Sequence, residues 1–191
     1  YVMTNRGEVA CLDLKGLADG NQGFGGEGQY MAGPGKKPHK PGPTDADILW
    51  TYDMMKSLGV VPHNITSSSV ALADGRIIST TSNGLDEEHE HNSTPDAPCL
   101  ISLDAVTGKL RNVEQAGIAK ATMHCNWSSP CIGRHGGQPA VFFGGGDGFL
   151  HAFDLDGEQT AKGRRTLKEL WRIDANAPDY RVDEKGKPRE Y

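Results

Sequence analysis

The sequence predicts an all-β chain of short antiparallel sheets set radially. It is read as about three four-stranded blades of a β-propeller, one incomplete, with long loop insertions. Three observations lead there. The first is residues 142–157, FFGGGDGFLHAFDLDG, where an apolar run that begins at Ala140 and an alternating run at residues 149–153 flank an Asp147-Gly148 turn. Glycine supplies the positive φ of a tight turn, so this stretch reads as a hairpin. The second is that the pattern returns in residues 1–16, YVMTNRGEVACLDLKG, where Gly7 and Asp13 are spaced as Gly148 and Asp154 are. It returns again in residues 76–84, RIISTTSNG, and 98–108, PCLISLDAVTG, with an insertion between them. The third is a further strand after each hairpin, at residues 48–52, 110–113 and 167–173. Serine-rich strand starts precede two of the hairpins, at residues 67–70 and 128–131.

Naming the strands A to D from the inside outward, blade 1 is strands B–D in residues 1–54. Blade 2 is residues 67–114 and blade 3 is residues 128–174. Residues 175–191 read as the connection to a further blade. Tyr1 opens inside a strand, so the chain is expected to be a fragment, with the remaining blades of the same propeller as its first partners and another protein as a further one. A length of 191 residues with 36% hydrophobic content supports one domain with a real core. A net charge of −5 argues against nucleic acid or an anionic membrane surface, which need a clustered basic patch. No run of eighteen apolar residues is present, so no membrane span is expected.

The connections differ in character. Residues 15–46 form a long Gly- and Pro-rich link. Its glycine run, residues 23–28, is not read as a phosphate cradle, because it does not combine a preceding parallel strand with a helix opening from it, and no Lys-Ser/Thr follows. Residues 53–58 suit one helical turn. Asn83-Gly84 reads as a hairpin turn, followed by an acidic insertion at residues 85–97, LDEEHEHNSTPDA. Residues 158–166 read as a polar, basic insertion, and the charge runs 86–90 and 183–189 as solvated loops. Cys11, Cys99, Cys125 and Cys131 show no CxxC and read as buried or semi-buried free thiols. The sequons at Asn64, Asn92 and Asn126 read as accidental, and His151 as a hydrogen-bonded or partly exposed strand residue.

Residues 102–109, SLDAVTGK, resemble the tryptophan-docking repeat of quinoprotein propellers, the pyrroloquinoline quinone (PQQ) family: Ala, x, Asp, x, x, Thr, Gly, Lys, x, x, Trp. Blade 2 matches at Asp104 and Gly108. Blade 3 matches at Ala152, Asp154, Gly157, Lys168 and Trp171, and blade 1 at Asp13, Gly16 and Trp50. Cys11 and Ser102 stand where the repeat has Ala, and Asn112 stands where blade 2 would have Trp. Residues 124–157 are similar to PQQ-like propeller proteins of planctomycete-type bacteria. The resemblance implies the propeller fold, an extracytoplasmic (periplasmic) setting, and blade-to-blade packing by Trp50 and Trp171. For function it implies a non-catalytic binding or scaffold domain. The alternative is part of a PQQ-dependent alcohol or sugar dehydrogenase, with PQQ and Ca²⁺ as cofactors only in that case. No residue is assigned as a catalytic base, and the adjacent-cysteine disulfide of many alcohol-oxidising members has no counterpart here.

Strand direction gives one candidate site. Strands alternate up and down in a blade, so B–C and D–A connections emerge on one face. His63 and His124 lie in D–A connections, and His89 and His91 in the B–C insertion of blade 2. All four are expected on that face, with Asp86, Glu87, Glu88, Cys125 and Trp127. Imidazole, carboxylate and thiolate are transition-metal donors. The plainer reading is a set of solvated loop residues, and since no spacing matches a known closed site, no metal is assigned to these four candidates.

Overall fold

The computed structural model describes residues 1–122, 124–161, 163 and 165–188. Met123, Lys162, Arg164 and residues 189–191 lie outside the described residues, and with them Arg189 of the charged run. Blade 1 is β1 (Val2–Thr4), β2 (Glu8–Asp13) and β3 (Asp47–Asp53), a three-stranded antiparallel sheet in that order. Blade 2 is β4 (Ala71–Ala73), β5 (Arg76–Thr80), β6 (Leu100–Asp104) and β7 (Leu110–Glu114). Blade 3 is β8 (Cys131–His135), β9 (Gln138–Gly144), β10 (Phe149–Gln159) and β11 (Arg165–Asp174). Blades 2 and 3 share one eight-stranded sheet, β4-β5-β6-β7-β11-β10-β9-β8, joined by a parallel pairing of Val113 with Thr166 and Glu114 with Leu167. The end strands β4 and β8 approach each other, so the sheet is nearly closed. The fold is therefore mostly β and propeller-like. Among the described residues its α-helices are all short: α1 (Glu27–Ala32), α2 (Met54–Leu58) and α3 (Ile118–Ala121). Among the described residues no helix is long and apolar enough to cross a membrane.

Blade 2 is covered on both faces, and its sequence shows why. Successive strand residues point to opposite faces. Ile77, Ile101 and Leu103 pack with Val9, Met54 and Val113 against blade 1. Ile78 and Leu100 pack with Val141, Phe143, Phe153 and Leu155 against blade 3. Adjacent apolar pairs such as Ile77-Ile78 and Leu100-Ile101 are what a two-sided core requires.

The repeat glycines occupy one conformation. Gly16, Gly108 and Gly157 all have positive φ, at 58°, 69° and 66°. The preceding aspartates accept from the turns that follow: Asp13 from Lys15 N, Asp154 from Asp156 N, and Asp104 from Val106 N and Thr107 N. The Arg111 guanidinium, hydrogen-bonded to Asp104, holds that carboxyl well below the usual range, helped by the Thr107 hydroxyl.

The Trp50 ring reaches from blade 1 to blade 2. Its Nε1 donates to Ala105 O at 3.3 Å, and a Cβ on Gly108 would stand 2.5 Å from the ring. Trp50→Ala should therefore lower stability, by on the order of 3 kcal/mol, read as a fall in urea midpoint of the full chain. The Trp171 ring lies 5.8 Å from Phe142 by ring centroid, and its Nε1 is 3.4 Å from His135 Nδ1, both residues of blade 3. Asn112, standing where blade 2 lacks its Trp, is buried and directs Nδ2 at Leu155 O over 3.4 Å. That carbonyl is the counterpart of Ala105 O one blade on. Arg76 donates to the same oxygen at 2.7 Å and pairs with Asp156. A polar clamp replaces the indole at this seam.

Several expectations need correction. Residues 67–70 are not strand. Ser68 Oγ is 3.1 Å from Thr80 Oγ1, and Ser69 N donates to Ser129 Oγ, so side chains serve the ladder's role there. Strand A of blade 3 starts later than the expected strand start at residues 128–131, spanning Cys131–His135, because Gly136 and Gly137, both with positive φ, place the turn. The described part of residues 158–166 is no loop at its ends. The β10–β11 ladder continues past a bulge, through Glu158 with Thr166 and Gln159 with Arg165. Cys131 is exposed, while the other three cysteines are buried and all four are free. The long link at residues 15–46 is pinned along the outer edge of β3, through Phe24 N to Ile48 O at 2.9 Å and buried Glu27 accepting from Ile48 N at 3.3 Å. It covers backbone groups that would otherwise form an open sheet edge.

Candidate metal centre

The site is built around one extended segment. After β5 the chain leaves the sheet, and Thr81, Ser82 and Asn83 are wholly buried. Asn83-Gly84 is therefore not a hairpin turn but part of a spine on which both D–A connections lie. On one side His63 N donates to Ser82 O at 3.2 Å, Gly84 N to Val61 O at 3.1 Å, and Val61 N to Asn83 Oδ1 at 2.9 Å. On the other, Leu85 N donates to His124 O at 2.8 Å, and Asn126 Nδ2 to Asn83 O at 2.8 Å. Gly84 is the pinch point. A Cβ there would meet His124 O at 2.2 Å and His63 Cβ at 3.1 Å.

This arrangement brings three of the four candidate histidines together. His63, His89 and His124 each offer a ring nitrogen, and those atoms lie within 4.8 Å of one another. The rings stand edge-on, with centroids 4.4 Å apart for His63 and His89, 4.6 Å for His63 and His124, and 5.1 Å for His89 and His124. His63 is buried and the other two are exposed. The Trp127 ring lies 5.0 Å from His124 and 6.3 Å from His63.

The hydrogen bonds fix two tautomers. His63 Nδ1 is 3.0 Å from Leu85 O, and His89 Nδ1 is 2.9 Å from Glu87 O. A carbonyl only accepts, so each ring carries a proton on Nδ1. The remaining nitrogens, His63 Nε2 and His89 Nε2, face each other at 3.0 Å. Two lone pairs at that separation repel unless a cation sits between them. A backbone carbonyl on the outer nitrogen is also what orients a metal-binding imidazole. Although its ring is largely exposed, partial desolvation within the cluster, with the neighbouring His63 and His89, lowers the pKa of His124 and so favours its neutral form.

His89 is held in place by a tight loop and has a left-handed backbone, φ 62°. Its N donates to Asp86 O at 3.2 Å, while Asp86 Oδ1 accepts from Glu90 N at 2.9 Å and His91 N at 3.3 Å. His91 lies on the same loop but outside the cluster. Alternate residues of a His-x-His pair diverge here because the loop turns at His89. Cys125 does not join either. Its Sγ donates to Ser82 O at 3.0 Å, and burial pushes the thiol up to about 11. The two carbonyls and Gly84 escaped the sequence reading. The one signal for them was an Asn-Gly pair lacking a strand immediately after it.

No family model and no curated protein matches the chain. Among solved structures it is similar to a quinohemoprotein alcohol dehydrogenase of Pseudomonas putida HK5, at 18% identity and a TM-score of 0.42 over 68% of this chain. It is also similar to a europium-containing methanol dehydrogenase, at 21% identity and a TM-score of 0.41 over 73% of this chain. It covers 16% and 21% of those two chains, so it spans about a fifth or less of their length.

Proposed function

We propose that this chain belongs to a β-propeller acting as a binding domain, and that its ligand is a divalent transition-metal ion, zinc or copper, held by His63, His89 and His124. The observation that carries this reading is the facing pair of Nε2 atoms at 3.0 Å, each ring having its proton committed to a carbonyl on the far side. A proton between them relieves the repulsion for two nitrogens and leaves the third imidazole unused. A metal ion uses all three. With Zn–N bonds of about 2.0–2.1 Å, tetrahedral ligand nitrogens stand about 3.3 Å apart. The His63–His89 separation is close to that, and the exposed His89 and His124 rings have room to close the third leg. The acidic insertion, with Asp86, Glu87, Glu88 and Glu90, raises the local cation concentration beside the site.

Isothermal titration of the purified full chain with Zn²⁺ at neutral pH tests this. One equivalent should bind in the micromolar range or tighter. His63→Ala, His89→Ala and His124→Ala should each weaken binding by at least about tenfold, while His91→Ala should leave it unchanged. Equal losses in His89→Ala and His91→Ala would show that a flexible His-x-His loop binds the ion. No uptake would remove the site altogether.

A further inference from the structure

Resting on the three-histidine reading, we infer that the centre keeps one coordination position for a small exogenous donor: water at rest, replaceable by a small anion. Three ligands leave a tetrahedral ion one place short. The structure shows on which side that place lies. His63 is buried, and Gly84, Leu85 and the His124 backbone close the floor around it. The opposite side is bounded by the exposed rings of His89 and His124 and the 40%-exposed Trp127. The fourth position faces outward, between these rings.

Among the described residues, none near the site is set to fill it. Among the described residues the cluster contains three donors and no carboxylate or thiol. Cys125 Sγ is turned away to Ser82 O. Asp86 spends Oδ1 on the Glu90 and His91 amides, which keeps it within its own loop. Trp127 offers an indole wall and no metal-binding lone pair. Three neutral imidazoles also leave the ion's full double positive charge uncompensated within its coordination sphere, which favours an anionic fourth ligand. A site with three protein nitrogens and one outward place is an open centre, not a closed structural one.

Co²⁺ gives a visible spectrum that reports coordination, so the full chain loaded with Co²⁺ is the probe. Adding azide should shift and intensify the visible bands in a saturable way, with the metal retained on desalting. The Glu88→Gln/Glu90→Gln double variant should give the same starting spectrum and the same azide response. Bands of bound cobalt that ignore azide would mean that the fourth place is already filled by protein and would overturn the inference. A starting spectrum altered in the double variant would identify a carboxylate as that ligand and would overturn it equally. Absence of any cobalt spectrum would instead remove the three-histidine centre, and the open place with it.

Discussion

Gly84→Val should abolish tight zinc binding while leaving every histidine in place. A Cβ at Gly84 would come within 2.2 Å of His124 O and 3.1 Å of His63 Cβ, and both atoms belong to segments that carry ligands. The obstructing group is backbone, which yields only if the D–A connections separate. Overpacking of this kind costs on the order of 3 kcal/mol, and Ser82 and Asn83 beside it are wholly buried. Zinc affinity should fall by about a hundredfold or more, as when groups that orient metal ligands are displaced. Parallel urea midpoints and zinc titrations of the full chain check this. A lowered midpoint with zinc affinity intact would mean that the segment supports the fold without positioning the imidazoles.

His151→Phe should give the second large effect, through charge. His151 is fully buried on β10, with Nδ1 2.7 Å from Glu169 Oε1 and Nε2 3.0 Å from buried Asp147 Oδ2. Both ring nitrogens face carboxylates, so the doubly protonated imidazolium is the form that satisfies them. Burial alone would lower its pKa, but the hydrogen bonds and charges of Asp147 and Glu169 outweigh that, and the net shift is upward. The folded chain therefore holds its proton more tightly than the unfolded one. The contribution is complete below the ordinary histidine value of 6.5 and is lost as pH rises through the higher folded value. Removing the ring strands a buried carboxylate against a second one. The expected cost is about 3 kcal/mol, since Glu169 keeps 31% exposure and is partly solvated. Urea midpoints of the wild type should decline from about pH 6.5 upward, and those of the variant should be lower and flatter there. A wild-type midpoint constant over that range would remove the imidazolium clamp.

The strands were legible because their signals are local. Apolar runs and glycine turns mark β2 and β9. A Gly three or four residues after the Asp marks a positive-φ turn at Gly16, Gly108 and Gly157. Counting strand direction led to the expectation of four histidines on one face, and the structure brings His63, His89 and His124 together. Counting could not exclude His91, since that needs the loop's curvature at His89, a residue in an uncommon backbone region. The continuation of β10 and β11 past residue 157 was hidden by polar composition, because a long exposed hairpin carries no apolar alternation.

The sequence by itself determined the mostly β, propeller-like fold and the positive-φ turns at its repeat glycines. Each depends on side-chain period and backbone preference over a few residues. The tertiary structure alone decided which nitrogens meet. Leu85 O and Glu87 O set the tautomers of His63 and His89, and Gly84 sets the approach of His63 and His124 across a separation of 61 residues in the chain. Asn112 likewise takes the docking place of a tryptophan only because Leu155 O from the next blade lies within its reach. Backbone carbonyls are present at every position and leave no mark in a sequence. Their placement, and so the chemistry of the groups they hold, is fixed only when distant segments pack.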